Sequence, residues 1–399
     1  MEQDIYSEIA PYSDELIPQA MEKIANDSKL ENISRYLYPE KPAEFLKNIV
    51  KSCRTTFDFQ KNIMFQAVNQ VLAKTASKLT FSGIENFKPG NKYLIVSNHR
   101  DIVLDSAIIQ KILFQNNIPT TEIAVGDNLI SSPFIDDFCR SNKMIKVIRK
   151  NISPRELYSA SKLLSGYIRQ QVSNKISSIW IAQRNGRTKD GNDLTEQGLL
   201  KMFDMSGTSD FVQDFSELHI MPTSISYEYE SCDFFKTAET YIKRRIKYVK
   251  AENEDFISIL TGITQNKGDI NVTFNEPVTL EEIQESARMD KNERFRHLAD
   301  IMDSKIISNY LFHKTNYIAY DIVNKTTKYA KKYTQADKEK FLEYMRKGLD
   351  ALNMPARLAA LSNAQGKAVE YVRSEMEDIF LKIYSNPVLS KEQRTVAIA

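Results

Sequence analysis

Apolar positions set the first division of the chain. Met64, Val68, Val71 and Leu72 recur at helical spacing, which predicts a helix over 56–78 closed by Phe81-Ser82-Gly83. Residues 1–80 read as helices, with Pro42 where a first helical turn begins. The period then changes. Tyr93-Leu94-Ile95-Val96 is a short apolar run, a strand leading directly into Ser97-Asn98-His99. Further strands are predicted at Ile123-Ala124-Val125, over the alternating 144–148 segment, and at 177–182, 220–227 and 270–274. Ser153, Pro154 and Glu156 place a cap, a first-turn proline and a capping-box partner at the start of a helix over 154–174. From 281 onward the pattern is helical, and Leu298, Ile301, Met302, Ile306 and Ile307 share one face. The expected fold class is α/β, with a central, largely parallel or mixed sheet flanked by helices. Three regions follow: an N-terminal helical region 1–80, an α/β domain 81–280, and a C-terminal helical region 281–399 that packs on the sheet.

Composition removes several classes of function. The 399 residues hold 54 Lys+Arg against 52 Asp+Glu, a net charge of +2, which excludes binding nucleic acid by bulk electrostatics. Twelve Gly and twelve Pro exclude a collagenous or low-complexity chain. Cys53, Cys139 and Cys232 have no metal-ligand spacing, so no metal site is expected, and their odd number fits a reducing cytoplasm. No apolar run approaches the ~18–20 residues of a membrane span. The acidic Met1-Glu2-Gln3-Asp4 start does not read as a secretory signal. Contact with a membrane is therefore expected to be peripheral.

Histidine is scarce, with four in the chain. His219 precedes a strand, His297 sits in a charged helix and His313 ends an apolar one, so these read as structural. His99 instead follows the carboxyl end of an apolar strand, where α/β sheets place ligands. Asp101 and Asp105 are both near enough in sequence to orient its ring and leave the other nitrogen to take a proton. Another polar, basic, glycine-punctuated loop, 183–191, follows the strand ending at Ala182, and Arg149 and Lys150 follow the 144–148 strand. Arginine forks and glycine-exposed backbone suit phosphate oxygens. Together these strand ends describe a hydroxyl-activating base beside a phosphate site. His99-Arg100-Asp101 also starts like a protein-kinase catalytic loop, but Ser106 stands where that reading needs Asn, and the other kinase motifs are missing. The run 241–250 holds five basic residues and no acidic one, which reads either as a solvated face or as a dock for anionic lipid or an acidic carrier.

The same residues resemble the glycerolipid acyltransferases, a superfamily that includes glycerol-3-phosphate and 1-acylglycerol-3-phosphate O-acyltransferases. Ser97-Asn98-His99-Arg100-Asp101-Ile102-Val103-Leu104-Asp105 resembles their His-x4-Asp block, with Asp105 one residue late and Asp101 too early. Lys146-Val147-Ile148-Arg149-Lys150 is similar to the second block, and Asn185-Gly186-Arg187-Thr188 to the third, with Asn185 in place of a glutamate. The strand around Pro222 resembles the fourth, and features at 241–243 and 270–278 look closer to the glycerol-3-phosphate branch. The resemblance implies a glycerol-3-phosphate acyltransferase-like fold and acyl transfer from an acyl carrier protein or coenzyme A thioester to a glycerol-phosphate hydroxyl, in phospholipid synthesis. His99 is then the general base, Asp105 or else Asp101 orients it, and Arg149, Lys150, Arg187 and Lys189 hold the acceptor phosphate. Asn98, Arg100, Asn185, Gly186, Thr188 and Pro222 support the motifs. No cofactor is implied beyond the thioester cosubstrate. The expected acceptor is glycerol phosphate or a lysophospholipid, and the expected location is cytoplasmic, on an anionic inner membrane face. Activity is expected to fall on acidification as the imidazole protonates. The alternative is an altered or inactive relative that binds acyl or lipid ligands at the membrane, or serves a different acceptor.

Overall fold

Among the described residues, seven strands form one sheet. They are β1 (Ala76–Ser82), β2 (Leu94–Ser97), β3 (Glu122–Gly126), β4 (Met144–Val147), β5 (Ile179–Ala182), β6 (Ile220–Tyr227) and β7 (Gly268–Phe274), in the order β1-β7-β6-β2-β5-β3-β4. The structure is a computed structural model that describes residues 5–42, 44–149, 152–365 and 370–398. Strands β2 to β6 run parallel, while β7 lies antiparallel to β6 and carries β1 parallel to itself. The sheet is thus mostly parallel and mixed, the expected α/β class. At its centre β2 is buried at all four positions, which is why it reads as an unbroken apolar run.

Helices cover both faces. Leu94 and Val96 point to a layer formed by helices Pro154–Ser173, Gln197–Asp204 and Glu293–Ser308. Ile95 points the other way, to helices Phe65–Thr75 and Leu104–Gln115. Ser153 and Glu156 form the expected capping box: Ser153 Oγ accepts the Glu156 N–H at 3.3 Å, and the Glu156 carboxylate accepts the Ser153 N–H at 2.7 Å. Helices Lys314–Val323, Gln335–Ala351 and Arg373–Ile398 build a separate core with helix Asp233–Lys243. No helix among the described residues is long and apolar enough to cross a membrane.

Two expectations need correction. The helix expected over 56–78 ends at Thr75, contains a π-helical turn at Gln60–Met64, and gives way to strand β1. Ala76 and Leu79 continue the helical spacing from Leu72, which hides the change. The signal for the strand is the alternation of Leu79 and Phe81 with Lys78, Thr80 and Ser82. Half-exposed, β1 closes the edge of the sheet beside β7. His313 does not end a helix: that helix stops at Ser308, and His313 caps the start of Lys314–Val323. Its ring lies 3.1 Å from Ser226 Oγ, and burial pushes it down to about 4, so it stays neutral.

Candidate active site

The loop after β2 is tied down residue by residue. Asn98 accepts the Ile225 N–H at 2.8 Å and donates to the Ile225 carbonyl at 3.0 Å, so its amide extends the pairing of β2 with β6 by one rung. His99 follows, 14% exposed, its ring edge-on to Trp180 and its Nδ1 2.9 Å from Asp105 Oδ2. That same oxygen accepts the backbone N–H of Arg100 at 2.6 Å and of Asp101 at 2.9 Å. A carboxylate so placed only accepts, so Nδ1 carries the hydrogen and Nε2 is the basic nitrogen.

Asp101 has a different task. Its Oδ1 accepts the N–H groups of Val103 and Leu104 at 2.9 and 2.8 Å, which caps helix Leu104–Gln115, and its other oxygen accepts the Ser231 hydroxyl. With Asp101 as the cap, the next available carboxylate is Asp105, in the first turn. It is fully buried and reaches back over the loop to His99. The helix N-terminus favours a negative charge there.

A buried ion network lies behind the loop. Arg100 turns away from solvent onto Asp193, and onto Glu230 at 3.3 Å. Lys236 pairs with Glu230 at 2.5 Å and donates to the Arg100 carbonyl at 2.8 Å. Asp193 also accepts Asn98 Nδ2 at 3.2 Å and Thr188 Oγ1 at 2.7 Å. The Thr188 N–H in turn donates to the His99 carbonyl at 2.9 Å. The loop after β5 is thereby stapled to the loop after β2. Gly186 sits in this loop at φ +73°, a conformation that other residues adopt only with strain. Pro222 occupies an inner strand, but its carbonyl accepts the Asn275 N–H on the side where β7 ends, so its missing N–H breaks no rung.

In front of His99 lies a cleft of 1420 Å³, and the carboxyl ends of β3, β4 and β5 open into it. Arg149, Asn185, Gly186, Arg187 and Lys189 line it with His99. Arg149 donates to Asn185 Oδ1 at 2.6 Å, so the amide at 185 holds a cation of the cleft. A buried nitrogen of Arg187 has no protein partner among the described residues, and neither has Nε of Arg184, a cleft residue that the sequence reading did not assign. Lys189 pairs with Glu239 at 2.6 Å. Burial, and then the neighbouring Arg187 charge, bring it down to about 8. Lys150 lies outside the described residues. Asn98, Arg100, Asp101, Asp105, Thr188 and Pro222 form the scaffold rather than the lining. Apolar side chains line it from both faces of the sheet, with Phe65, Val68 and Phe114 on one side and Leu157, Leu164 and Met202 on the other, interspersed with polar ones such as Gln110, Glu196 and Asp255.

Four of the five cations at 241–250 are paired, on three carboxylates, one of which, Glu239, also serves Lys189. Lys243 pairs with Glu239 at 2.7 Å, Arg244 and Arg245 with Glu375, and Lys250 with Asp255.

Residues 78–226, the stretch from β1 through β6, match the family model described as Acyltransferase. That stretch resembles an acyltransferase domain. The match takes in the His99 loop, Arg149 and the 183–193 loop. No curated protein matches the chain. Among solved structures the chain is similar to the 1-acyl-sn-glycerophosphate (LPA) acyltransferase from Thermotoga maritima. The two share 13% identity at a TM-score of 0.39, over 72% of this chain and 92% of that one.

Proposed function

We propose that this protein transfers a fatty acyl group from a thioester to a hydroxyl of a glycerol-phosphate acceptor. The observation that carries the reading is the His99–Asp105 pair, opening on a cleft walled by Arg149, Arg187 and Lys189. His99 Nε2 takes the hydroxyl proton as that oxygen attacks the thioester carbonyl. The tetrahedral intermediate collapses to an ester and expels the thiolate, which receives the proton back from the imidazolium. Asp105 stabilises the imidazolium between these steps, and the cations hold the phosphate so that the hydroxyl faces the carbonyl.

Apolar lining on both sheet faces gives room for two chains, which favours an acceptor that already bears one, such as 1-acylglycerol 3-phosphate. The donor is a coenzyme A or acyl carrier protein thioester. Phe256, Ile257 and Leu260 lie exposed on helix Glu254–Thr264, which borders the cleft, and they support action at a membrane surface. The paired charges of 241–250 shift the weight of that contact from electrostatic to apolar.

The test is transfer of labelled palmitoyl from its coenzyme A thioester, with wild type beside His99→Ala. The acceptors are glycerol 3-phosphate, 1-acylglycerol 3-phosphate and an acylated amino acid. Transfer to the second that vanishes in the variant is the expected result. No transfer by folded wild type, with thioester binding intact, would leave a lipid-binding relative.

Gly126 gives a finer test of the cation wall. A Cβ there would lie 2.3 Å from Arg149 Nη2 and 2.5 Å from Asn128 Oδ1, both ends of flexible side chains. Its φ of −66° suits alanine, so Gly126→Ala is expected to cost less than about 1 kcal/mol of stability. It displaces the Arg149 guanidinium from Asn185, so the acceptor KM should rise several-fold. An unchanged KM would remove Arg149 from the phosphate site.

A further inference from the structure

Asp105 accepts four hydrogen bonds among the described residues, unequally shared. Three fall on Oδ2, from His99, Arg100 N–H and Asp101 N–H. The fourth, on Oδ1, comes from the hydroxyl of Tyr227 at 2.8 Å. Tyr227 is the last residue of β6. The register pairs Thr223 with Ser97, the last residue of β2, so β6 runs four residues beyond β2 and overhangs the His99 loop. That overhang, roughly 13 Å of strand, brings the ring to the first turn of helix Leu104–Gln115. The ring is fully buried. Burial, with the charges of Asp105, Asp101 and Glu230, holds the phenol well above its ordinary value, so it remains a donor wherever the protein is folded.

We propose that Tyr227 is a positioning residue that fixes the rotation of the Asp105 carboxylate and so the line from Oδ2 to His99 Nδ1. The inference rests on the reading of His99 as the base. A carboxylate held by donors on one oxygen can still twist about its last bond and tilt that oxygen's lone pairs away from the ring. Here a separate donor on each oxygen stops that twist. Without the phenol, Oδ1 is a charged, buried oxygen with no donor, and the group gains by rotating toward one.

The test is Tyr227→Phe, which keeps the ring and removes the hydroxyl. The expected result is a fall in kcat of about 10- to 100-fold, with KM for both substrates within about two-fold of wild type and an unchanged circular dichroism spectrum. In an Asp105→Asn background the charge that the phenol orients is gone, and the hydroxyl keeps only a contact to the amide. There the second substitution is expected to cost far less activity than it does in wild type. The double variant also serves if the single one fails to fold, because an amide at 105 leaves no buried charge stranded. Full kcat in Tyr227→Phe, or the same loss in both backgrounds, overturns the inference while leaving His99 as base. Full activity in His99→Ala overturns the base reading itself, and this inference with it.

Discussion

Replacing Asp105 by asparagine is expected to lower kcat by about 10²–10³-fold while the protein stays folded. The geometry sets both the size and the cause. Three donors converge on Oδ2, two of them backbone N–H groups that cannot move. An asparagine must therefore place its carbonyl oxygen there and its NH₂ toward the Tyr227 hydroxyl, which can accept. His99 Nδ1–H still finds an acceptor, so the tautomer survives. What is lost is the negative charge that stabilises the imidazolium. Where an amide instead forces the wrong tautomer, losses reach about 10⁴, so a smaller loss here identifies charge as the missing element. Single-turnover transfer by Asp105→Asn, with circular dichroism for the fold, is the measurement. A loss no greater than two-fold would show that Asp105 serves only the loop, and a matched Asp101→Asn with the larger loss would reverse the assignment.

The two aspartates show how much of the site was legible. An apolar run ending in a polar histidine is visible in the letters, because a short strand buried on both faces is made mostly of apolar side chains until it ends. The resemblance favoured Asp105 as the orienting carboxylate, with Asp101 as the runner-up. What separates them is which one caps the helix, and that depends on backbone directions over 101–104. Tyr227 and Asp193 carried no local signal. A tyrosine ending an apolar strand reads as core, and an aspartate after Asp190-Gly191-Asn192 reads as loop. Their partners, Asp105, Asn98 and Arg100, are about a hundred residues away in sequence. Strand β1 was missed for a different reason: Ala76 and Leu79 continue the helical spacing from Leu72 and mask the alternation of Leu79 and Phe81. The loop after β5 was visible as basic and glycine-punctuated. That Arg100 faces the interior while Arg184 and Arg187 face the cleft follows only from the fold.

Asp193→Ala is expected to destabilise the protein by about 3–5 kcal/mol, the usual cost of removing one partner from a buried ion pair. Arg100 is buried, and without Asp193 it shares Glu230 with Lys236, leaving two buried cations on one carboxylate. Asn98 Nδ2 and Thr188 Oγ1 lose an acceptor at the same time, so the staple between the two loops loosens. Urea unfolding, read as a shift in midpoint at constant slope, measures the cost. Removing both charges together should behave differently. In Arg100→Met/Asp193→Leu the remaining Glu230–Lys236 pair is balanced, and the interior holds apolar groups of similar size where the charges stood. The double variant is therefore expected to be more stable than Asp193→Ala, even though it lacks one more native group. If the double variant is the less stable of the two, the cost comes from lost packing and loop hydrogen bonds rather than from an unpaired guanidinium, and the electrostatic account of the network is wrong.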